Sequence, residues 1–212
     1  MNFFDRIESA RTRWNVLRHP FYERWTLGTL ERDELAFYAG QYRHAVVARA
    51  EAVGTAARAA EPAVRAELES HVAEESAHVG LWDDFADAIG SEPAAAPLPE
   101  TTACVDSWTA GREGLEALAA TYAIESAQPA IARSKLDGLV EHYGFETEGP
   151  ATAYFALHAE LDVEHAAQSR ALIEERLDGA DQDRLVELAE GALRGNWTLL
   201  DGVERAFAAR RG

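Results

Sequence analysis
The sequence predicts an all-α fold, one domain over residues 1–212 arranged as a bundle of about seven helices. Three observations predict it. Apolar side chains recur at helical spacing along most of the chain. No stretch shows the alternation of a half-buried strand. Two eight-residue stretches share one pattern, His71-Val-Ala-Glu-Glu75-Ser-Ala-His78 and His158-Ala-Glu-Leu-Asp162-Val-Glu-His165. Each places an acid four residues, and a second histidine seven residues, after the first histidine. At about 100° per residue these offsets fall within roughly 60° of each other, so an α-helix presents each set along one stripe.

The elements follow in order. Phe3, Phe4, Ile7, Ala10, Trp14 and Leu17 mark a first helix that ends before His19-Pro20. Thr29 is the expected N-cap of the next, with Glu31 as a first-turn acid. No reciprocal capping box is expected there, because Arg32 takes the third helical position. That helix is expected to reach about Ala57. Pro62 suits a first helical turn and Gly90 a helix end, which frames a long helix carrying His71 to His78. Residues 91–100, rich in proline and alanine, read as a loop. A short helix near 102–111 precedes a long one from Gly114 to Tyr143, in which Pro129 removes the donor that would bond the Glu125 carbonyl and loosens the helix. Pro150 is expected to open the helix carrying His158 to His165, which ends near Gly179. A last amphipathic helix spans about 181–208.

Composition narrows the function. A net charge of −17 argues against nucleic acid as a partner, since phosphate backbones demand basic surfaces. No run approaches the ~20 apolar residues of a membrane span, and the residues after Met1 do not resemble a signal peptide, so a cytoplasmic protein is expected. The single cysteine, Cys104, excludes an intrachain disulfide and a cysteine-rich zinc module. Aromatic-rich helices leave room for a homodimer without specifying one. Lysine and arginine total 20, yet only Lys135 is a lysine. Arginine can replace a surface lysine, but not one whose amine must lose its proton or react, so Lys135 draws notice.

The two stripes read as metal ligands. Imidazole and carboxylate donors suit iron or manganese, and facing stripes in a bundle core would hold one or two ions. In the second stripe the candidates are His158, Asp162 and His165, with Tyr154 one turn upstream. In the first they are His78 and Glu75, which mirror the Asp162/His165 spacing, while Glu74 and His71 remain alternatives. Glu125 is an acid inside a mostly apolar run, and such an acid is rarely buried unless paired or bound to metal. It is a candidate bridging ligand, or else the partner of an arginine such as Arg43 or Arg133. Glu75, His78, Glu125, His158, Asp162 and His165 make a plausible ligand set for two irons.

These residues resemble the haem-oxygenase-like di-iron oxidases, within the TenA and PqqC superfamily of all-α proteins. The likeness spans nearly the whole chain. It is carried by His19-Pro-Phe-Tyr22-Glu-Arg-Trp25, Gln41-Tyr-Arg-His44, His78-Val-Gly-Leu-Trp82, Tyr122-x-x-Glu125 with Lys135, and Tyr154-Phe-x-x-His158-x-x-x-Asp162-x-x-His165. Within the family it is similar to the branch of chlamydial proteins associating with death domains and their bacterial relatives, self-sacrificing synthases of para-aminobenzoate. Two positions depart from that branch. His71 stands two turns before His78, where the branch has an acid, and Ile124 stands where a tyrosine is expected, with Tyr122 as a possible substitute.

The resemblance implies two irons, or a manganese/iron pair, working with dioxygen and an external reductant. It implies that Tyr22 supplies an aromatic ring, that Lys135 donates the amine, and that Tyr154 acts near the metals. Rival readings keep the fold and change the chemistry. A di-iron oxygenase or lyase would act on an external amino or fatty acid. A metal-free hydrolase would need a cysteine nucleophile, for which Cys104 is poorly placed after the proline-rich loop. A pure interaction protein would leave the stripes without a purpose.

Overall fold
The computed structural model describes residues 1–92 and 95–211, with the backbone alone at Arg210 and Arg211. Pro93 and Ala94 of the expected loop, and Gly212, lie outside the described residues. Among those described there are eight α-helices and no strands. They are α1 (Phe3–Arg13), α2 (Pro20–Thr26), α3 (Arg32–Ala59), α4 (Pro62–Ala88), α5 (Pro99–Trp108), α6 (Gly114–His142), α7 (Ala153–Glu174) and α8 (Gln182–Arg211). None is long and apolar enough to cross a membrane.

The long helices pair as α3 with α4 and α6 with α7, and α3 also packs on α6. These four surround the buried polar residues. Helix α5 lies along α8, which covers α6 from the other side.

Most sequence boundaries hold to within a few residues, and the differences have local causes. The first helix stops at Arg13, and Val16–Arg18 forms a separate 3-10 turn because Asn15 caps it, its side chain accepting the Leu17 N–H at 3.1 Å. Helix α2 escaped the periodicity reading because seven residues are too few to show a stripe. It is set by Pro20 in the first turn and by His19, whose Nδ1 accepts the Phe21 N–H at 3.1 Å. Helix α3 is capped at Glu31 rather than Thr29, and Glu34 folds back to accept the Glu31 N–H at 2.9 Å, the return half of a capping box. Helix α5 starts at Pro99, three residues before its expected start. Helix α7 starts at Ala153 rather than Pro150, because Thr152 Oγ1 bonds back to the Glu146 carbonyl at 3.0 Å and holds Pro150 in a turn. Helix α6 continues through Pro129, and Arg11 from α1 donates to the neighbouring Ser126 carbonyl at 2.6 Å.

One contact fixes how α2 meets α6. Trp25 is fully buried and its indole N–H donates to the Lys135 carbonyl at 3.2 Å. The ring lies on Gly138, where a Cβ would stand 2.5 Å from Trp25 Cδ1. Glycine is therefore required for close approach, not for backbone freedom. Gly138→Ala should destabilise the protein by about 1–3 kcal/mol through overpacking. Gly80→Ala, in α4 with no atom near its added Cβ, should stabilise it by about 0.5–1 kcal/mol. Urea denaturation of both variants tests the pair, and equal midpoints would remove the role given to Gly138.

Candidate metal centre
Three helices bring their polar stripes to one place. Helix α4 supplies His71, Glu75 and His78, α6 supplies Glu125, and α7 supplies His158, Asp162 and His165. All seven side chains are buried, Glu125, His158 and Asp162 completely. Glu75 faces inward, whereas Glu74 faces out and accepts from His165 Nε2 at 3.1 Å. Arg43 and Arg133, the sequence-level alternatives for pairing Glu125, are engaged elsewhere, with Asp83 and with the Ala159 carbonyl. Tyr122 packs on Phe4 of α1 with ring centres 5.5 Å apart, so it does not face the centre.

The outer contacts decide which atoms face inward. His158 Nδ1–H donates to the Tyr154 carbonyl at 2.8 Å, which leaves a lone pair on Nε2. The Glu74 contact on Nε2 of His165 leaves Nδ1. Ser169 Oγ donates to Glu125 Oε2 at 3.1 Å, which leaves Oε1. Such outer hydrogen bonds fix the tautomer and aim of metal ligands.

The inward atoms have no hydrogen-bond partner. They are His71 Nε2, both oxygens of Glu75, His78 Nδ1, Glu125 Oε1, His158 Nε2 and His165 Nδ1. Yet they lie close together. His71 Nε2 stands 3.0 Å from Glu125 Oε1 and His78 Nδ1 stands 3.3 Å from Glu75 Oε1, without hydrogen-bond alignment. Ligands about 2.1 Å from one ion at right angles are about 3 Å apart. Buried polar atoms are otherwise almost always paired, so this convergence is what a cation site requires. The atoms form two trios, His71/Glu75/His165 and Glu75/His78/His158, each within 4.8 Å, and Glu75 belongs to both. On geometry Glu75, not Glu125, is the carboxylate common to both halves.

Sequence reasoning missed one participant, Arg49 of α3. It is buried, and its guanidinium takes both oxygens of Asp162, with Nη1 3.2 Å from Oδ2. It also lies 3.0 Å from Glu75 and 3.8 Å from Glu125. A signal existed, since Arg49 is a lone charge within Ala45-Val-Val-Ala-Arg49-Ala. The reasoning applied to Glu125 would have found it.

Electrostatics follow from this packing. Burial alone would raise the Glu75 and Asp162 carboxyls, but Arg49 holds both below their usual range. Burial, then Arg49, push His158 down to about 4, so it is neutral and ready to ligate. Burial opposes a charge on His71, yet Glu125 and Glu75 overcome it and pull His71 up to about 9.

A cleft of about 170 Å3 opens over His71 and His165, lined also by Glu67, Glu74 and Glu164. It gives the centre an acidic approach from solvent.

A second buried group lies beside the first. Lys135 of α6 has its Nζ 4.5–5.5 Å from the ring centres of Tyr22, Tyr38, Tyr42, Trp82 and Phe155. No carboxylate pairs with it among the described residues, and burial pushes its amine far below the ordinary lysine value. Tyr22 is fully buried, its hydroxyl 3.5 Å from that of Tyr38, and burial raises it. Tyr154 stacks on His158 at 4.0 Å and meets Trp82 at 4.9 Å. Cys104 is sealed on α5, where burial raises its thiol, so it is no nucleophile.

The charge on His71 gives a test of ligation. Because its value in the metal-free protein is about 9, His71 carries a proton at pH 7.5 that ligation must displace. Titrating the metal-free protein with Mn(II) in buffers of different ionisation enthalpy should report about one proton released from His71 at pH 7.5. That release should fade above pH 9, where His71 is already neutral, and should be absent in His71→Gln. Equal release by the variant would exclude His71 as a ligand.

Known proteins resemble this chain in sequence and in fold. The chain is 31% identical over 213 residues to the 4-aminobenzoate synthase of Chlamydia muridarum, an alignment that covers 95% of this chain and 89% of that protein. It is 29% identical to the 4-aminobenzoate synthase of Nitrosomonas europaea, covering 98% and 93%. Its fold matches a TenA homologue from P. horikoshii with a TM-score of 0.79 at 17% identity, over 97% of this chain and 99% of that one. A family model described as iron-containing redox enzyme matches residues 36–197. The chain therefore belongs to the iron-containing redox enzymes, with the haem-oxygenase-like, all-α fold that its motifs resemble.

Proposed function
We propose that this chain is an oxygen-dependent oxidase that makes 4-aminobenzoate from its own residues, with Tyr22 giving the ring and Lys135 the nitrogen. The single observation that carries the proposal is the position of Lys135. Its Nζ lies 5.5 Å from the centre of the Tyr22 ring, in a cage with no counter-ion among the described residues. An ammonium there would be stabilised by the ring faces, but burial without a counter-ion outweighs this and favours the neutral amine. A neutral amine has the lone pair that forming a carbon–nitrogen bond needs. The relatives' names supply the product.

The product defines what must change. A tyrosine side chain becomes 4-aminobenzoate when Cα–Cβ breaks, Cβ is oxidised to the carboxylate, and the phenolic oxygen is replaced by nitrogen. When bound at the trios, two irons or a manganese/iron pair would supply the oxidising power, drawn from dioxygen and an external reductant. The chain's residues provide the setting. Trp25 and Phe21 pack on the Tyr22 ring and keep water from it. Tyr38, the only hydrogen-bond partner found for the Tyr22 hydroxyl among the described residues, orients that hydroxyl. Tyr154, Trp82 and Tyr38 form a series of ring contacts from His158 to Tyr22, at 4.0, 4.9, 6.1 and, between the two hydroxyls, 3.5 Å. This series is a path for an electron leaving Tyr22.

Intact-mass and peptide mass spectrometry, before and after iron, reductant and oxygen are supplied, test the reading. The expected result is loss of the Tyr22 side chain, a change at Lys135, and no more than one 4-aminobenzoate per chain. Lys135→Arg should reduce product to background, because arginine cannot offer a neutral amine at any ordinary pH. Unchanged protein mass alongside a converted small molecule would replace this reading with an oxygenase or lyase acting on an external substrate.

A further inference from the structure
Arg49 is unlike the rest of the centre. Among the described residues no other arginine is buried, and this one touches all three carboxylates of the site. A guanidinium does not deprotonate in proteins, so its charge is permanent. Its fork satisfies both oxygens of Asp162, which is why that carboxylate alone has no atom left without a partner. Its third contact, at 3.0 Å, is to Oε1 of Glu75, the residue that both donor trios share.

The consequences for loading are electrostatic and geometric. With His71 neutral as a ligand, one divalent ion beside Arg49 brings three positive charges against Glu75, Glu125 and Asp162, and the pocket is balanced. A second brings five against three. Oε1 of Glu75 is the oxygen that Arg49, His78 and His71 all approach, at 3.0, 3.3 and 3.7 Å, so a site filled in both halves would compete with Arg49 for Glu75. The first ion fits the resident charge, whereas the second competes with it.

We propose that Arg49 is the resident counter-cation of this centre and makes its two halves load in sequence, one ion tightly and the second only as the Arg49–Glu75 contact yields. Asp162 anchors the guanidinium while the first ion binds. This rests on the reading of the site as a metal centre, but not on the reaction proposed for it.

The test is equilibrium metal binding without oxygen. Metal-free protein is titrated with Mn(II) and, separately, with Co(II), whose visible absorption reports ligation, and native mass spectrometry counts the ions. Wild type should bind two ions with dissociation constants separated by more than about tenfold. In Arg49→Met the second should tighten until the two lie within about threefold. Arg49→Lys keeps the charge and should keep the gap, and it decides the matter with wild type if Arg49→Met fails to fold. Two ions of equal affinity in wild type, an undiminished gap in Arg49→Met, or a gap lost in Arg49→Lys would overturn the proposal. Sequential loading with Tyr22 left intact after oxygen would sink the self-consuming reaction and leave this inference standing. No binding by any form would remove both.

Discussion
Everything in this bundle depends on holding three carboxylates away from water. An ion moved into a low-dielectric interior loses several kcal/mol of hydration even after relaxation, so each acid needs a cation or several donors close by. The chain supplies Arg49 against all three, a charged His71 against Glu75 and Glu125, and a hydroxyl from Ser169 for Glu125. Those two cations leave three anions under-compensated. The remaining demand falls on free oxygens of Glu75 and Glu125 and on the ring nitrogens of His78, His158 and His165, which have nothing to bond to; His71 joins them only when its proton leaves. A transition-metal ion would answer that demand. The four-helix arrangement is the means by which stripes from α4, α6 and α7 reach one point.

The two deeply buried basic side chains have opposite fates, and the difference is their neighbours. Arg49 sits among acids, which outweigh its burial and hold its charge. Lys135 sits among aromatic rings with burial as the only strong influence, so its amine is driven toward the neutral form. The two exchanges differ in kind. Lysine at position 49 would keep a charge among the acids and lose only the two-pronged grip on Asp162, whereas arginine at 135 would stay charged in an apolar cage. This gives a physical reason for a lysine to persist at one position in a chain that otherwise uses arginine.

Local spacing was legible in the sequence, and distant partnership was not. The stripes on α4 and α7 could be read because helical offsets are fixed by chain geometry. Glu125 could be read because a lone acid in an apolar run has no surface explanation. Glu74 and Glu75 could not be separated, since one turn places both near the same face, and only the position of His165 shows Glu74 turned outward. Arg49 was legible only as a lone charge in an apolar run, not as a partner. Its meaning comes from Asp162, 113 residues away, and one arginine among many gives no hint of that. Helix α2 was lost to its length, although His19-Pro20 at its start was noticed as an end of the preceding helix. The cap of α3 was misplaced because threonine is the better N-cap by residue type, while here a glutamate three residues on rewards Glu31 instead.

The centre and the lysine cage share a wall, and its composition bears on the proposed reaction. The metal half needs polar donors and an opening, which the acidic cleft over His71 and His165 provides. The amine half needs the opposite, because water admitted beside Lys135 would restore its charge. Tyr154 and Trp82 separate them, one stacked on His158 and the other facing both Tyr154 and Lys135. Helix α6 spans the two halves, and the ten residues from Glu125 to Lys135 correspond to roughly 15 Å of axis. Two touching aromatic rings block water and bulk proton transfer, but they do not block an electron. In the proposed reaction, a wall of this kind would let oxidation reach Tyr22 while the amine beside it stays dry. An aliphatic wall would keep the dryness and remove the electron's path, which is why aromatic residues, rather than leucines, suit this boundary.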